Sequence, residues 1–290
     1  MPKSRATLLI ACLAVVYLVW GSTYLAIRIA LEGLPPLWMS ATRNLIAGPL
    51  VLAWALHRGA AWPTRRQWRN GVVIGVMMMA FGNGFICLAE ELVPSGIAAL
   101  VVGSAPVFAI LFGLGLGSRP RLFEWLGVAL GLAGMVVLNF DTHAAASPVG
   151  IALLFVATAS WSFASLLQSR LDMPGGGTSA GVQMVGGGVL LAVLSLLRGE
   201  HLAGPVPPQA WLALLYLIVF GSIVGYSAFV YVINHSRPAL ATSYAYVNPV
   251  VAVGLGALFA GERVSAPLLA GMAVILAGVA LVVIGSARRR

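Results

Sequence analysis

Charge is what this sequence has least of. Only 9% of its 290 residues are Asp, Glu, Lys or Arg, while 60% are hydrophobic and the mean hydropathy is +0.97. Soluble domains carry about a quarter charged residues, and a chain of this size would need that polar surface to cover its core. A soluble enzyme and a disordered chain are both excluded. The imbalance of 17 basic over 8 acidic residues gives a net charge of +9. The basic residues sit at the ends of apolar runs, where they set membrane topology, so no nucleic-acid partner is implied. Cysteine is equally sparse. Cys12 and Cys87 lie inside apolar runs expected near opposite membrane faces, which argues against a disulfide or a metal cluster. Catalytic signatures are missing too: there is no Walker loop, no paired intramembrane carboxylates, no nucleophile elbow and no HExxH. His57, His143, His201 and His235 are scattered over segment ends. No enzymatic activity, cofactor or metal is expected.

What is present is apolar length. A helix crosses the hydrocarbon core in about 20 residues. Breaking the chain at charges, prolines and glycine clusters gives ten spans near 8–28, 37–57, 70–89, 95–116, 122–140, 149–169, 179–197, 210–233, 239–260 and 266–286. The fold class is therefore an all-α polytopic membrane protein. The first span follows Lys3 and Arg5 but runs through Trp20 and Tyr24 without a small-residue cleavage site, and reads as a retained helix. Alternate loops carry thirteen Lys and Arg on one side and three (Arg28, Arg198, Arg263) on the other. The positive-inside rule places both termini in the cytoplasm and the loop around His143 outside, in a bacterial inner membrane.

The second half repeats the first. An offset of 143 pairs Gly82 with Gly225, Ala98 with Ala241 and Pro106 with Pro249; an offset of 140 pairs Arg58-Gly59 with Arg198-Gly199; an offset of 141 pairs Trp20 with Trp161. The repeats are expected over 1–146 and 147–290, five helices each. An odd number of helices makes the two copies enter the membrane in opposite senses. Inverted repeats are the architecture of alternating-access transporters, with the site near the midplane between the halves.

Four stretches stand out: Trp20-Gly21-Ser22-Thr23-Tyr24, Pro35-Pro36…Arg43, Ala98…Pro106-Val107-Phe108, and Asn248-Pro249-Val250 followed by Gly261-Glu262 and Gly271. Through them the chain resembles the drug/metabolite transporter superfamily, and within it the EamA-type exporters. The resemblance covers essentially the whole chain. The branch it resembles most is the inner-membrane aromatic amino acid exporters, which implies export of small amphipathic metabolites such as aromatic or large neutral amino acids. Other substrates of the superfamily (a sugar, nucleobase or cationic toxin carried by proton exchange) and a passive channel stay open as alternatives.

Polar side chains inside a bilayer face a cavity or a partner helix. On that ground the expected cavity residues are Trp20, Tyr24, Arg43, Asn83, Trp161, Gln168, Gln183, Tyr226, Tyr244 and Asn248, with Pro106 and Pro249 as paired hinges. Arg43 is the only charge well inside a span; it reads either as a carboxylate-binding cation or as a structural one tied to helix-end carbonyls or to Glu32. Gly82-Asn83-Gly84 and Gly225-Tyr226 permit a local opening of the third helix of each copy. Met77-Met78-Met79 is expected to supply apolar lining, with one of the three in lipid. Helices five and ten, almost wholly apolar and with Gly127, Gly131 and Gly134 on one face, read as scaffold or as the contact of a homodimer. Every acidic residue, Glu90 and Glu91 included, falls at or near a span end. Flux without obligatory proton exchange is the expectation.

Overall fold

In lipid every backbone N–H and C=O must be satisfied within its own segment, so apolar runs bounded by proline and glycine become helices. The computed structural model describes residues 3–117, 122–139, 147–236, 238–241, 243–259 and eight positions between 266 and 281, and its regular structure among these is helical. The helices are α1 (Lys3–Ala30), α2 (Pro36–His57), α3 (Arg65–Glu90), α4 in two segments (Ser95–Val102 and Ala105–Gly115), α5 (Leu122–Asn139), α6 (Pro148–Gln168), α7 (Gly176–Leu197), α8 (Pro208–His235) and α9 in two segments (Pro238–Ala241 and Tyr244–Phe259). Five of them, α1, α3, α6, α7 and α8, are long and apolar enough to cross a membrane. Each of the first nine predicted spans coincides with a helix, and the described positions of the tenth are helical as well. His143, Arg119, Arg121, Arg237, Glu262, Arg263 and the three C-terminal arginines lie outside the described residues.

Local chemistry sets the boundaries. Pro36, Pro148 and Pro208 open their helices at a position where the N–H has no partner in any case. Thr64 and Gln67 close a reciprocal capping box at the start of α3. Helices α2 and α7 end alike. Gly59 (φ 88°) and Gly199 (φ 72°) take the left-handed conformation that a side chain disfavours. In both, the residue after the glycine donates back across the last turn, Ala60 N–H to Ala55 O at 3.1 Å and Glu200 N–H to Ser195 O at 3.0 Å. The Arg-Gly pair seen at an offset of 140 is thus one helix stop used twice.

Packing follows a matching pattern. Helix α1 lies against α8 and α9, whereas α6 lies against α3 and α4, and α2 runs along α7. Each half therefore lends its first helix to the third and fourth helices of the other. The glycine face of α5 is consumed within the chain: Tyr246 of α9 packs on Gly131, and Gly278 abuts the backbones of Gly127 and Gly131. The outward side of α5 carries exposed Leu122, Trp125 and Leu126.

Two details differ from expectation. The interruption of α4 falls at Gly103-Ser104, and Pro106 comes just after it, in the first turn of the next segment. Pro249 sits inside the segment Tyr244–Phe259, while α9 is interrupted ahead of Tyr244. Met78 and Met79 are buried, while Met77 packs against the core and stays half-exposed, the one of the three with a side left for lipid. All three lie in a π-helical stretch, Val76–Gly84, whose turn is wider than that of an α-helix.

Candidate functional site

The third helix of each half carries such a stretch, Val76–Gly84 in α3 and Leu217–Tyr226 in α8. The expected opening at Gly82-Asn83-Gly84 and Gly225-Tyr226 thus has a definite form. Wider turns misalign the backbone ladder and leave carbonyls for side-chain donors. Trp20 Nε1 donates to Gly221 O at 3.2 Å, and Ser160 Oγ donates to Met77 O at 2.8 Å. In each case a residue from the first helix of one half reaches the π-helical turn of the other. Glycine makes the approach feasible: a Cβ at Gly225 would lie 2.8 Å from Trp20 Nε1, and one at Gly82 would lie 2.8 Å from Trp161 Cε3.

The two indoles meet edge to face with centroids 5.4 Å apart. Trp20 also contacts Phe229 at 4.9 Å and Tyr244 at 5.0 Å, and Trp161 contacts Tyr226 at 6.1 Å. The rings of Trp20, Trp161, Tyr226 and Tyr244 form one wall of a cleft whose empty space, with the solvent in its open mouth counted, is about 690 Å³. Eight of the ten residues expected from sequence line it: Trp20, Tyr24, Arg43, Asn83, Trp161, Tyr226, Tyr244 and Asn248. Thr23, Met79, Thr158, Gly221 and Ser222 complete much of the remainder. Ser222 and Thr158 carry no sequence signal that would have set them apart from other small hydroxyls in apolar helices.

Gln168 and Gln183 stand one layer behind. Gln183 accepts from the Tyr226 hydroxyl and donates to Gln168 Oε1 at 2.7 Å and to Ser179 Oγ at 2.8 Å. The network holds the Tyr226 ring against the cavity. Its counterpart in the first half is built from the matching positions. Arg43 Nη1 donates to Asn83 Oδ1 at 3.3 Å, and Ser40 Oγ donates to the same oxygen at 3.1 Å. Arg43 Nε reaches Ser222 Oγ at 2.6 Å. Arg43 is 5% exposed. Its partners are all neutral; the ion pairs among the described residues are made by Arg198, with Glu91 and Glu200. Glu32, the acid considered for Arg43 from sequence, instead accepts from Gln209. The cavity wall therefore contains a buried cation without a counter-ion among the described residues. Two further polar atoms on the lining, Trp161 Nε1 and Asn248 Oδ1, complete no hydrogen bond of good geometry among the described residues, although Trp161 approaches the Tyr244 hydroxyl and Asn248 that of Tyr24.

An aromatic chamber with one unneutralised guanidinium, an indole donor and an amide acceptor can hold a small solute with an apolar body and an anionic head. It offers no general base and nucleophile pair. The profile of the EamA-like transporter family matches residues 6–140 and again 148–284. The chain belongs to the EamA-like transporter family. It is 42% identical to the inner membrane transporter YedA of Escherichia coli K12, over 96% of this chain and 91% of that one. The transporter YvbV of Bacillus subtilis is 25% identical over 97% and 92% of the two chains, and the protein PecM of Dickeya dadantii 26% identical over 91% and 88%. A crystal structure of a protein 23% identical superposes with a TM-score of 0.77, covering 96% of this chain and 97% of the other. This EamA protein is a multi-pass transporter of the inner membrane, built of two EamA halves, and not an enzyme.

Proposed function

We propose that this EamA protein exports small amphipathic metabolites bearing a carboxylate, aromatic or large neutral amino acids, by alternating access between two inverted five-helix repeats, residues 1–146 and 147–290. The observation that carries the proposal is Arg43. A guanidinium buried without an acidic partner is costly unless something anionic neutralises it, and here it faces a chamber walled by Trp20, Trp161, Tyr226 and Tyr244. Each aromatic contact adds about 1 kcal/mol, so a few contacts plus the guanidinium hold a ligand without trapping it. Trp161 Nε1 and Asn248 Oδ1 supply an acceptor-seeking and a donor-seeking atom for the rest of the polar head. Pro106 and Pro249, next to or within helices that shape the chamber, serve as hinges. A homodimer, if formed through α5 and the tenth helix, would use their outward faces, because the glycine face of α5 is already filled.

The test is counterflow in proteoliposomes. Trans-loaded phenylalanine should accelerate tracer phenylalanine entry with saturation. Tryptophan, tyrosine and leucine should compete, phenylalaninamide should compete far more weakly, and sugars, nucleosides and other organic cations should not. Linear flux without counterflow would mean a channel, and competition by the amide as strong as by the acid would remove the carboxylate from the recognition.

A further inference from the structure

Glu90 is the last residue of α3, about two turns beyond Asn83. Its position near a span end suggested access to water, and the structure corrects this. Glu90 is 0% exposed, and neither carboxyl oxygen has a hydrogen-bond partner among the described residues. The contrast with the next residue is direct: Glu91 is partly exposed and pairs with Arg198 at 3.0 Å. Arg28, at the outer end of α1, is near enough to act on Glu90 electrostatically, yet its Nη1 donates to the Glu90 main-chain carbonyl at 3.1 Å and leaves the carboxyl group alone. The other groups facing this end of α3 are Tyr24 from α1 and Cys87 from α3 itself, with Arg43 and Glu200 acting on Cys87 from the α2 side. The segments Ser95–Val102 and Pro148–Gln168, packed against it, bring no titratable side chain. A carboxylate here would have no hydrogen-bond donor among the described residues, and Arg28, held on the main-chain carbonyl, acts on it only from a distance and offsets part of its desolvation, whereas the neutral acid makes no such demand. Tyr24 links the spot to the chamber, since it lines the chamber and feels Glu90.

We propose that Glu90 is a proton-binding site that couples substrate movement to proton movement. In the conformation described, the acid keeps its proton. When the helices move and the carboxyl reaches water or the Arg28 guanidinium, the O–H bond breaks, its electron pair stays on the carboxylate and the proton passes to water. Arg28 remains charged throughout and stabilises the carboxylate. Reprotonation from the opposite face completes a cycle in which one proton crosses. The inference rests on the transporter reading above, and its first test needs no substrate.

Infrared spectra of the reconstituted protein at neutral pH should contain the carbonyl stretch of a protonated carboxyl, and Glu90→Gln should lack it; its absence from the wild type overturns the proposal. The second test uses radiolabelled phenylalanine with the membrane potential clamped at zero. Wild type should concentrate it against its gradient, by up to about tenfold per pH unit for one-to-one coupling. Glu90→Gln should retain counterflow and lose accumulation. Wild-type flux indifferent to the pH gradient, or accumulation that survives in Glu90→Gln, overturns the proposal. If phenylalanine is not carried at all, the substrate reading fails while the infrared band still decides Glu90.

Discussion

Arg43→Gln should separate recognition from architecture. Gln is what the second half carries at the matching position, Gln183, so the change makes the two halves alike at this point. Asn83 Oδ1 keeps its bond from Ser40, and Ser222 Oγ loses only the donor Arg43 Nε, so the network loses little. Removing a buried charge that lacks a counter-ion also relieves desolvation. The melting temperature of the detergent-solubilised protein should therefore stay constant or rise. Binding should respond differently. A hydrogen bond to a charged group contributes about 1.5–3 kcal/mol, which corresponds to about 10- to 150-fold in affinity. Half-saturation of counterflow by phenylalanine should weaken within that range, while binding of phenylalaninamide should change by less than about twofold. Arg43→Lys should fall between, since it keeps charge but loses the planar fork. An equal loss for acid and amide, or a fall in melting temperature of the size seen for a core cavity, would refute the assignment and leave Arg43 as a packing element.

Pro106→Ala and Pro249→Ala should fold and slow transport. Residues 103 and 104 already have right-handed backbone torsions, so a restored N–H at position 106 favours one straight helix and biases one access state; unchanged flux in both at equal expression removes the hinges. Gly82→Ala and Gly225→Ala should each displace the indole packed on them and reduce counterflow several-fold, whereas Gly115→Ala, which meets open space, should leave it intact. Reporter fusions at residue 143 and at the C-terminus should read periplasmic and cytoplasmic; cytoplasmic activity at 143 would overturn the inverted arrangement.

Periodicity and span length made most of the helices legible, because lipid leaves a backbone few other options. The cavity residues were legible for a related reason: an aromatic or amide well inside an apolar span must face something other than lipid. That principle found Trp20, Trp161, Asn83 and Asn248. It did not separate the layer that touches the chamber from the layer that supports it, so Gln168 and Gln183 were grouped with the lining although they brace Tyr226 from behind. It also failed at Glu90. Distance along the chain from a span end says nothing about what covers the side chain, and Val93, Leu154 and their neighbours form a buried cluster beside it. The π-helical turns were invisible as such, since glycine next to a polar residue signals an opening without specifying its kind.

The two halves duplicate a framework while differing in its chemistry. At matching positions one half has Arg43 with Asn83, the other Gln183 with Tyr226, and in both the residue on the second helix of the half bonds the residue on the π-helical third. The same lattice therefore has a cation on one side of the indole pair and a neutral, aromatic-backed network on the other. Two identical networks would bind a solute equally well in either orientation. With one cation, a carboxylate has a single preferred anchor, and its apolar body is directed toward the rings of Trp20, Trp161 and Tyr244. Such a difference is hard to attribute to packing, because Gln183 shows that a neutral amide closes the network well. Retaining charge in one copy only, at the cost of burying it unpaired, is understandable if the counter-ion arrives with the substrate and leaves with it.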